Sequence, residues 1–304
     1  MKILRLAVFK IFSSTAVGAF CIYWLLQLYF NFMLFEEVHD LFLVVISIFM
    51  GLGVYAAFTH SGNAAQVWLS LNKLRSSWIT RTLILASIFM VLTLLLSILN
   101  LSKINSNILF GLIICLGVII GILLIYSLSR AYTIRTDQIW SSKLTVFSFY
   151  FSSALLGLLL LTVVFLFSFI NHPGLDEIFY RLMFWLGLLV LLILGVKIFT
   201  MPYWIIKLSQ RLSTINDLSP KQVKRLSAFF GLNAILVFMG VGLIIIFMYL
   251  NTQTYRQNTV YFLSIFVSFL IIMASEIVGS YLYYWIQLEG GRLSNKNEQI
   301  EFAK

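Results

Sequence analysis

The residues in this sequence best able to do chemistry sit where long apolar runs meet polar breaks. Glu276 lies inside such a run, in Ala274-Ser275-Glu276-Ile277-Val278-Gly279. An ionisable group in hydrocarbon is costly and marks function by default. His60 closes the second apolar run, Arg130 closes the fourth, and Trp140 lies just before the fifth. If the runs cross a membrane alternately, all four lie toward one side. A carboxylate, an imidazole and a guanidinium at one depth could line a single polar pocket, with His60 and Glu276 accepting protons from a bound ligand. A plainer arrangement uses the same residues: Arg130 reaches the lipid headgroups, His60 ends a helix, and Glu276 bonds to a neighbouring helix. Sequence patterning leaves both open.

Several other chemistries lack their residues. The two cysteines, Cys21 and Cys115, lie in apolar runs with no Cys or His at ligand spacing, so no zinc motif, disulfide framework or iron–sulfur cluster is expected. The three histidines, His39, His60 and His172, do not supply an axial pair for a membrane b-type haem. No Gly-rich phosphate loop suggests an ATP-driven pump. The expectation is a protein with no haem, no iron–sulfur cluster and no metal of its own.

The elements that must position these residues follow from composition. Of 304 residues, 61% are hydrophobic and 11% charged, against about 25% charged in an ordinary globular domain. A water-facing surface cannot be built from that, so membrane lipid must be the solvent. Apolar runs long enough to span fall at about 9 to 35, 41 to 60, 80 to 99, 107 to 129, 144 to 170, 178 to 200, 226 to 250 and 258 to 286. The fold class is therefore all-α: a polytopic membrane protein, an eight-transmembrane-helix bundle forming a single integral membrane domain over 1–304. Asn171-His172-Pro173-Gly174 reads as a turn, and Ser219-Pro220-Lys221-Gln222 as the capped start of the seventh helix. The first run follows a basic stretch but outlasts a signal-peptide core, and reads as a span.

The net charge of +10 then becomes a matter of address. Sorted by loop, 18 basic residues fall on the side of the two termini and 3 on the other, which predicts both termini in the cytoplasm of a bacterium, the protein lying in its inner membrane. No nucleic acid is implied. In this sorting Lys10 belongs to the N-terminal segment and Lys197 to the loop after span six, leaving Glu276 as the single charge inside the membrane. Between spans two and three, Val67, Leu71 and Leu74 share a helical face, suiting a connector in the interface plane. Trp78, Trp140, Trp204, Tyr284 and Trp285 read as a belt at the cytoplasmic boundary.

Several motifs fall in one order. His60-Ser61-Gly62-Asn63 is followed by Ser70-Leu71-Asn72-Lys73 and by Ser76-Ser77-Trp78-Ile79-Thr80-Arg81; then come Arg130-Ala131-Tyr132 with Trp140, Ala154-Leu155-Leu156-Gly157, and Glu276-Ile277-Val278-Gly279-Ser280-Tyr281-Leu282-Tyr283-Tyr284. In this order they resemble the dimethyl sulfoxide reductase membrane anchor family (DmsC), over nearly the whole chain. The resemblance implies a quinol-oxidising anchor of a molybdopterin oxidoreductase in anaerobic respiration. Its partners would be a four-cluster iron–sulfur subunit and a molybdopterin catalytic subunit. Menaquinol would bind near His60, give up two protons and pass two electrons to the partner's nearest cluster. His60 would accept a proton from one quinol oxygen, with Glu276, Arg130 and Tyr132 as further pocket residues and Trp140 packing against the ring.

Two departures from the family pattern bear on chemistry. The family commonly has a Glu at the start of span three where this chain has Thr82, and an Arg in the last span where it has Ser280. The second change is expected to take a positive partner from Glu276 and to leave its carboxyl neutral. Many relatives work with an exported catalytic subunit, whereas the charge count puts His60, and any partner docked there, in the cytoplasm. Two other functional classes fit the bare sequence: a proton-coupled small-solute transporter using Glu276, and a structural or assembly membrane protein without a ligand.

Overall fold

The structure, a computed structural model, describes residues 2–30, 34–61, 78–102, 107–133, 143–169, 177–214, 220–252 and 259–301. The chain forms eight helices among them: α1 (Lys2–Phe30), α2 (Leu34–Ser61), α3 (Trp78–Leu101), α4 (Asn107–Thr133), α5 (Lys143–Phe169), α6 (Glu177–Thr214), α7 (Pro220–Thr252) and α8 (Thr259–Glu301). Each contains a stretch long and apolar enough to cross a membrane, and no strand occurs among the described residues. Helices are the outcome that lipid demands, because every backbone N–H and C=O is then bonded within its own segment. The seventh begins at Pro220, where the missing N–H costs nothing.

α1 ends at Phe30 and α2 begins at Leu34, so the expected first span of 9 to 35 runs past the end of α1. Between Ala16 and Phe35 only Gln27 and Asn31 are polar, so hydropathy alone does not mark the end of α1 at Phe30 and the start of α2 at Leu34. At the other end, Lys2, Arg5 and Lys10 are helical instead of preceding the helix.

α1 and α5 form the centre. In an 18-residue apolar stretch of each, 72% and 78% of the residues are buried, against 17% in that of α7. α1 packs on α2, α4, α5 and α8, while α5 also meets α2, α4, α6 and α8. Small residues set this arrangement. Ser14 and Gly18 on α1, and Ser153 and Gly157 on α5, recur at helical spacing and let the two backbones approach closely. Ser153 Oγ donates to the Ser14 carbonyl across the contact at 2.8 Å. A Cβ on Gly18 would overlap the Ser153 carbonyl, and one on Gly157 would overlap the α1 backbone at Gly18 and Ala19.

Around this seam the apolar core runs through every helix: Phe20 and Tyr23, Phe42 and Ile46, Phe89, Leu124, Phe165, Met183, Phe247 and Ile265 are all buried. Large apolar side chains such as Leu94, Ile119, Leu192, Phe238 and Leu263 face outward, as they must where the solvent is lipid. α6 and α8 are longer than their spans, with 38 and 43 residues. At 1.5 Å per residue they are about 57 Å and about 65 Å long, well beyond the roughly 30 Å of membrane hydrocarbon.

Candidate functional site

Alternation across the bundle brings the start of α1, α3, α5 and α7 and the end of α2, α4, α6 and α8 to one face. This is the face rich in basic residues, and Glu276 lies toward it. Its carboxylate is held from two helices. Lys197 Nζ on α6 forms an ion pair with Glu276 Oε1, and Ser152 Oγ on α5 lies 3.2 Å from each carboxylate oxygen, sharing its one proton between them. The Glu276 side chain is 6% exposed and that of Lys197 23% exposed. Next to it, Ser275 Oγ donates to Asn233 Oδ1 on α7 at 2.6 Å. One turn farther along α8, Ser280 Oγ accepts from Lys10 Nζ on α1 at 3.0 Å, and the ammonium lies 4.2 Å from the centroid of the Phe149 ring.

Two expectations are corrected here. Glu276 is not the only charge inside the membrane, because Lys10 falls within the span Leu4–Leu28 and Lys197 within Phe179–Phe199. Nor does Ser280 leave Glu276 without a cation: Lys197 pairs with the carboxylate directly, and Lys10 holds Ser280 itself. The expectation had no account of a lysine arriving from another helix.

The remaining candidates lie around this cluster. His60 is in the last turn of α2; its side chain, like that of Tyr132 at the end of α4, lies outside the described residues, as do Trp140 and the whole of 62–77. The end of α2 is tied to α1, since Arg5 Nη1 donates to the carbonyl of Thr59, the residue before His60. Arg130 is exposed at the end of α4, its Nε donating to Tyr126 Oη at 3.0 Å. Tyr126 meets the Trp78 ring edge-on at 6.1 Å, and Arg81 lies 4.5 Å over the same indole. Thr82 is buried on α3, with its Oγ1 2.9 Å from Ser127 Oγ on α4 and donating to the Trp78 carbonyl at 2.8 Å. At the position of the family carboxylate, then, the hydroxyl of Thr82 joins two helices.

Sequence reading missed Lys10, Lys197 and Ser152. A signal was present for Lys197, which has apolar residues on both sides in Leu194-Gly195-Val196-Lys197-Ile198-Phe199, but a lysine near a span end is ordinarily free to reach the headgroups. At the opposite end of the bundle His39 is also buried, its Nδ1 2.8 Å from Tyr23 Oη and its ring edge-on to Trp24. No group of three His, Cys, Asp or Glu that could hold a metal ion occurs among the described residues.

The chain matches the family described as DMSO reductase anchor subunit (DmsC) over residues 1–286. Among curated proteins it is similar to the C subunit of the anaerobic dimethyl sulfoxide reductase of Haemophilus influenzae, with 29% identity over 168 residues. That alignment spans about half of either protein, 52% of this one and 56% of the relative. No solved structure matches. With 286 of its 304 residues inside the family match and eight membrane-crossing helices to carry it, the chain belongs to the DMSO reductase anchor subunit (DmsC) family.

Proposed function

We propose that this protein anchors a molybdopterin oxidoreductase to the bacterial inner membrane and oxidises menaquinol for it. Its partners are a catalytic subunit and a four-cluster iron–sulfur subunit. The observation that carries the reading is the Glu276 carboxylate, held ready by Lys197 and Ser152 within the membrane at the face where α2 ends in His60. Quinol oxidation releases two protons with its two electrons, so its site needs proton acceptors that the membrane interior otherwise lacks. His60 takes the proton of one quinol hydroxyl. Glu276 serves the inner part of the site, Arg130 and Tyr132 line it from the end of α4, and Trp140 packs against the ring. The electrons pass directly to the partner's nearest cluster. The extensions of α6 and α8 beyond the spans offer that partner a rigid platform on the same face.

The test is His60→Arg in membranes carrying the assembled complex. Quinol-dependent substrate reduction is expected to be abolished, while reduction driven by a soluble artificial donor, which bypasses this subunit, continues. Normal quinol-dependent turnover in that variant removes His60 from the mechanism.

The basic face is assigned to the cytoplasm, and moving Lys10 and Lys197 into the bundle leaves its excess of basic residues intact. An alkaline phosphatase fused to the C-terminus is expected to be inactive and a fluorescent protein fused there to be bright. The reverse pair of results would invert the orientation.

A further inference from the structure

α2 ends at Ser61, so His60 stands in a turn that the helix does not hold by itself. Carbonyls in the last turn of a helix have no partner within it, and such an end frays unless something outside takes them up. For α2 the partner comes from α1: Arg5 Nη1 donates to the Thr59 carbonyl. That carbonyl and the amide nitrogen of His60 belong to one planar peptide group, so a bond to the oxygen holds the plane on which His60 is mounted. A cation suits the place, because the C-terminal end of a helix carries partial negative charge.

Such a hold works only if α1 is itself fixed against α2, and it is. Gly53 of α2 lies against α1: a Cβ there would come 2.9 Å from Ser13 Oγ, 3.3 Å from the Ser13 amide nitrogen and 3.4 Å from Phe12 Cβ. One turn deeper in α2, the ring of Phe49 lies 5.3 Å from that of Phe12 between centroids. From Ser13 back to Arg5 is about 12 Å along α1, and from Gly53 on to Thr59 about 9 Å along α2, at 1.5 Å per residue. The helices run antiparallel, so the close crossing at Gly53 brings Arg5 level with the end of α2, and the length of the arginine side chain covers the difference. Thr59 is also held from its own helix, its Oγ1 donating to the Ala56 carbonyl at 2.9 Å.

We propose that Arg5 is a positioning residue for quinol oxidation: through the Thr59 carbonyl it fixes the backbone that carries His60, and so sets the distance at which the imidazole meets the quinol hydroxyl. The proposal rests on the quinol reading and adds to it a residue that takes no proton itself. The proton still passes from the quinol oxygen to His60, and the electrons to the partner's cluster. Proton transfer needs donor and acceptor within hydrogen-bond reach, and a misplacement of about 1 Å costs about 10²-fold in rate.

Two substitutions test it in membranes carrying the complex. Arg5→Met keeps an apolar stem and removes the donor; Arg5→Lys keeps a cation and an N–H for the carbonyl. Arg5→Met is expected to lower quinol-dependent turnover by about 10²-fold, the cost of such a misplacement. The loss falls on kcat and not on KM, because the contact matters at the moment of proton transfer. Arg5→Lys is expected to recover most of the rate, and turnover from a soluble donor, which reports assembly, to stay at the wild-type level in both. A second measurement reads the contact without quinol: amide hydrogen exchange in the last turn of α2 is expected to quicken in Arg5→Met, and that in the last turn of α4 to stay unchanged. Normal quinol turnover in Arg5→Met overturns the proposal. So does a loss confined to KM, an Arg5→Lys variant as slow as Arg5→Met, a fall in the soluble-donor rate, or unchanged exchange at the end of α2. Normal quinol turnover in His60→Arg removes His60 from the mechanism and Arg5 with it, whereas a fully active Arg5→Met beside an inactive His60→Arg removes only the role given to Arg5.

Discussion

Gly157→Ala is expected to destabilise the purified protein by about 3 kcal/mol or more, the upper end of the range for overpacked cores. A Cβ at this position overlaps the Gly18 carbonyl carbon and the Ala19 amide nitrogen, and lies 2.8 Å from Gly18 Cα. All three are backbone atoms of α1, so no rotamer change relieves the clash. The only escape is to move α1 off α5, which breaks the bond from Ser153 to the Ser14 carbonyl and opens the two most buried spans at once. Gly157→Leu is expected to leave no folded protein in the membrane. Gly242→Ala is the control: nothing lies within 4 Å of its Cβ, and the better helix propensity of alanine favours that variant by up to about 1 kcal/mol. The check is the unfolding midpoint in a denaturing-detergent titration. A wild-type midpoint for Gly157→Ala would refute the close α1–α5 crossing.

The second large effect concerns the buried ion pair. Glu276→Leu alone takes from Lys197 the carboxylate it pairs with, and Lys197→Met alone takes the ammonium from Glu276. Each is expected to cost about 3–5 kcal/mol, as removing one partner of a buried pair does. The double variant, which takes both charges out of the bundle together, is expected to recover most of that loss because an apolar pair of similar volume needs no compensation. A double-mutant cycle measures the coupling, and additive losses in the double variant would mean that the two groups do not act as a pair. Quinol-dependent turnover is not expected to recover with stability, since the double variant also lacks the carboxylate proposed to accept protons.

These two effects differ in how far they were legible in the sequence. Eight spans, their order and the shared face of His60, Arg130 and Glu276 follow from apolar run length and alternation, and the structure has eight crossing helices in that order. Glu276 stood out because a carboxylate inside an apolar run is costly in hydrocarbon whether it serves a ligand or bonds to a neighbouring helix. Lys10 and Lys197 did not, because a lysine near the end of a span has a plain explanation in snorkelling. Burial distinguishes the two cases, and burial depends on which helices surround the residue. Likewise Ser14 with Gly18, and Ser153 with Gly157, are visible as small residues one turn apart, but nothing local says that the first helix pairs with the fifth. Thr82 and Ser280 were read as losses from a family pattern. Only the spatial neighbours, Ser127 for one and Lys10 for the other, show what each hydroxyl does instead.

The central position of α1 has a consequence for biosynthesis. It is made before the other seven described helices, yet the groups that match its buried face come much later: Ser153 lies 139 residues behind Ser14, and Ser280 lies 270 behind Lys10. At roughly 5–20 residues per second, α1 waits about 10–30 s for α5 and up to about a minute for α8. Throughout that interval it presents an unmatched lysine and a run of small polar residues to whatever surrounds it. A nascent chain of this kind needs shelter from lipid until its later helices arrive, so the insertion machinery has to hold the first segment while the rest is made.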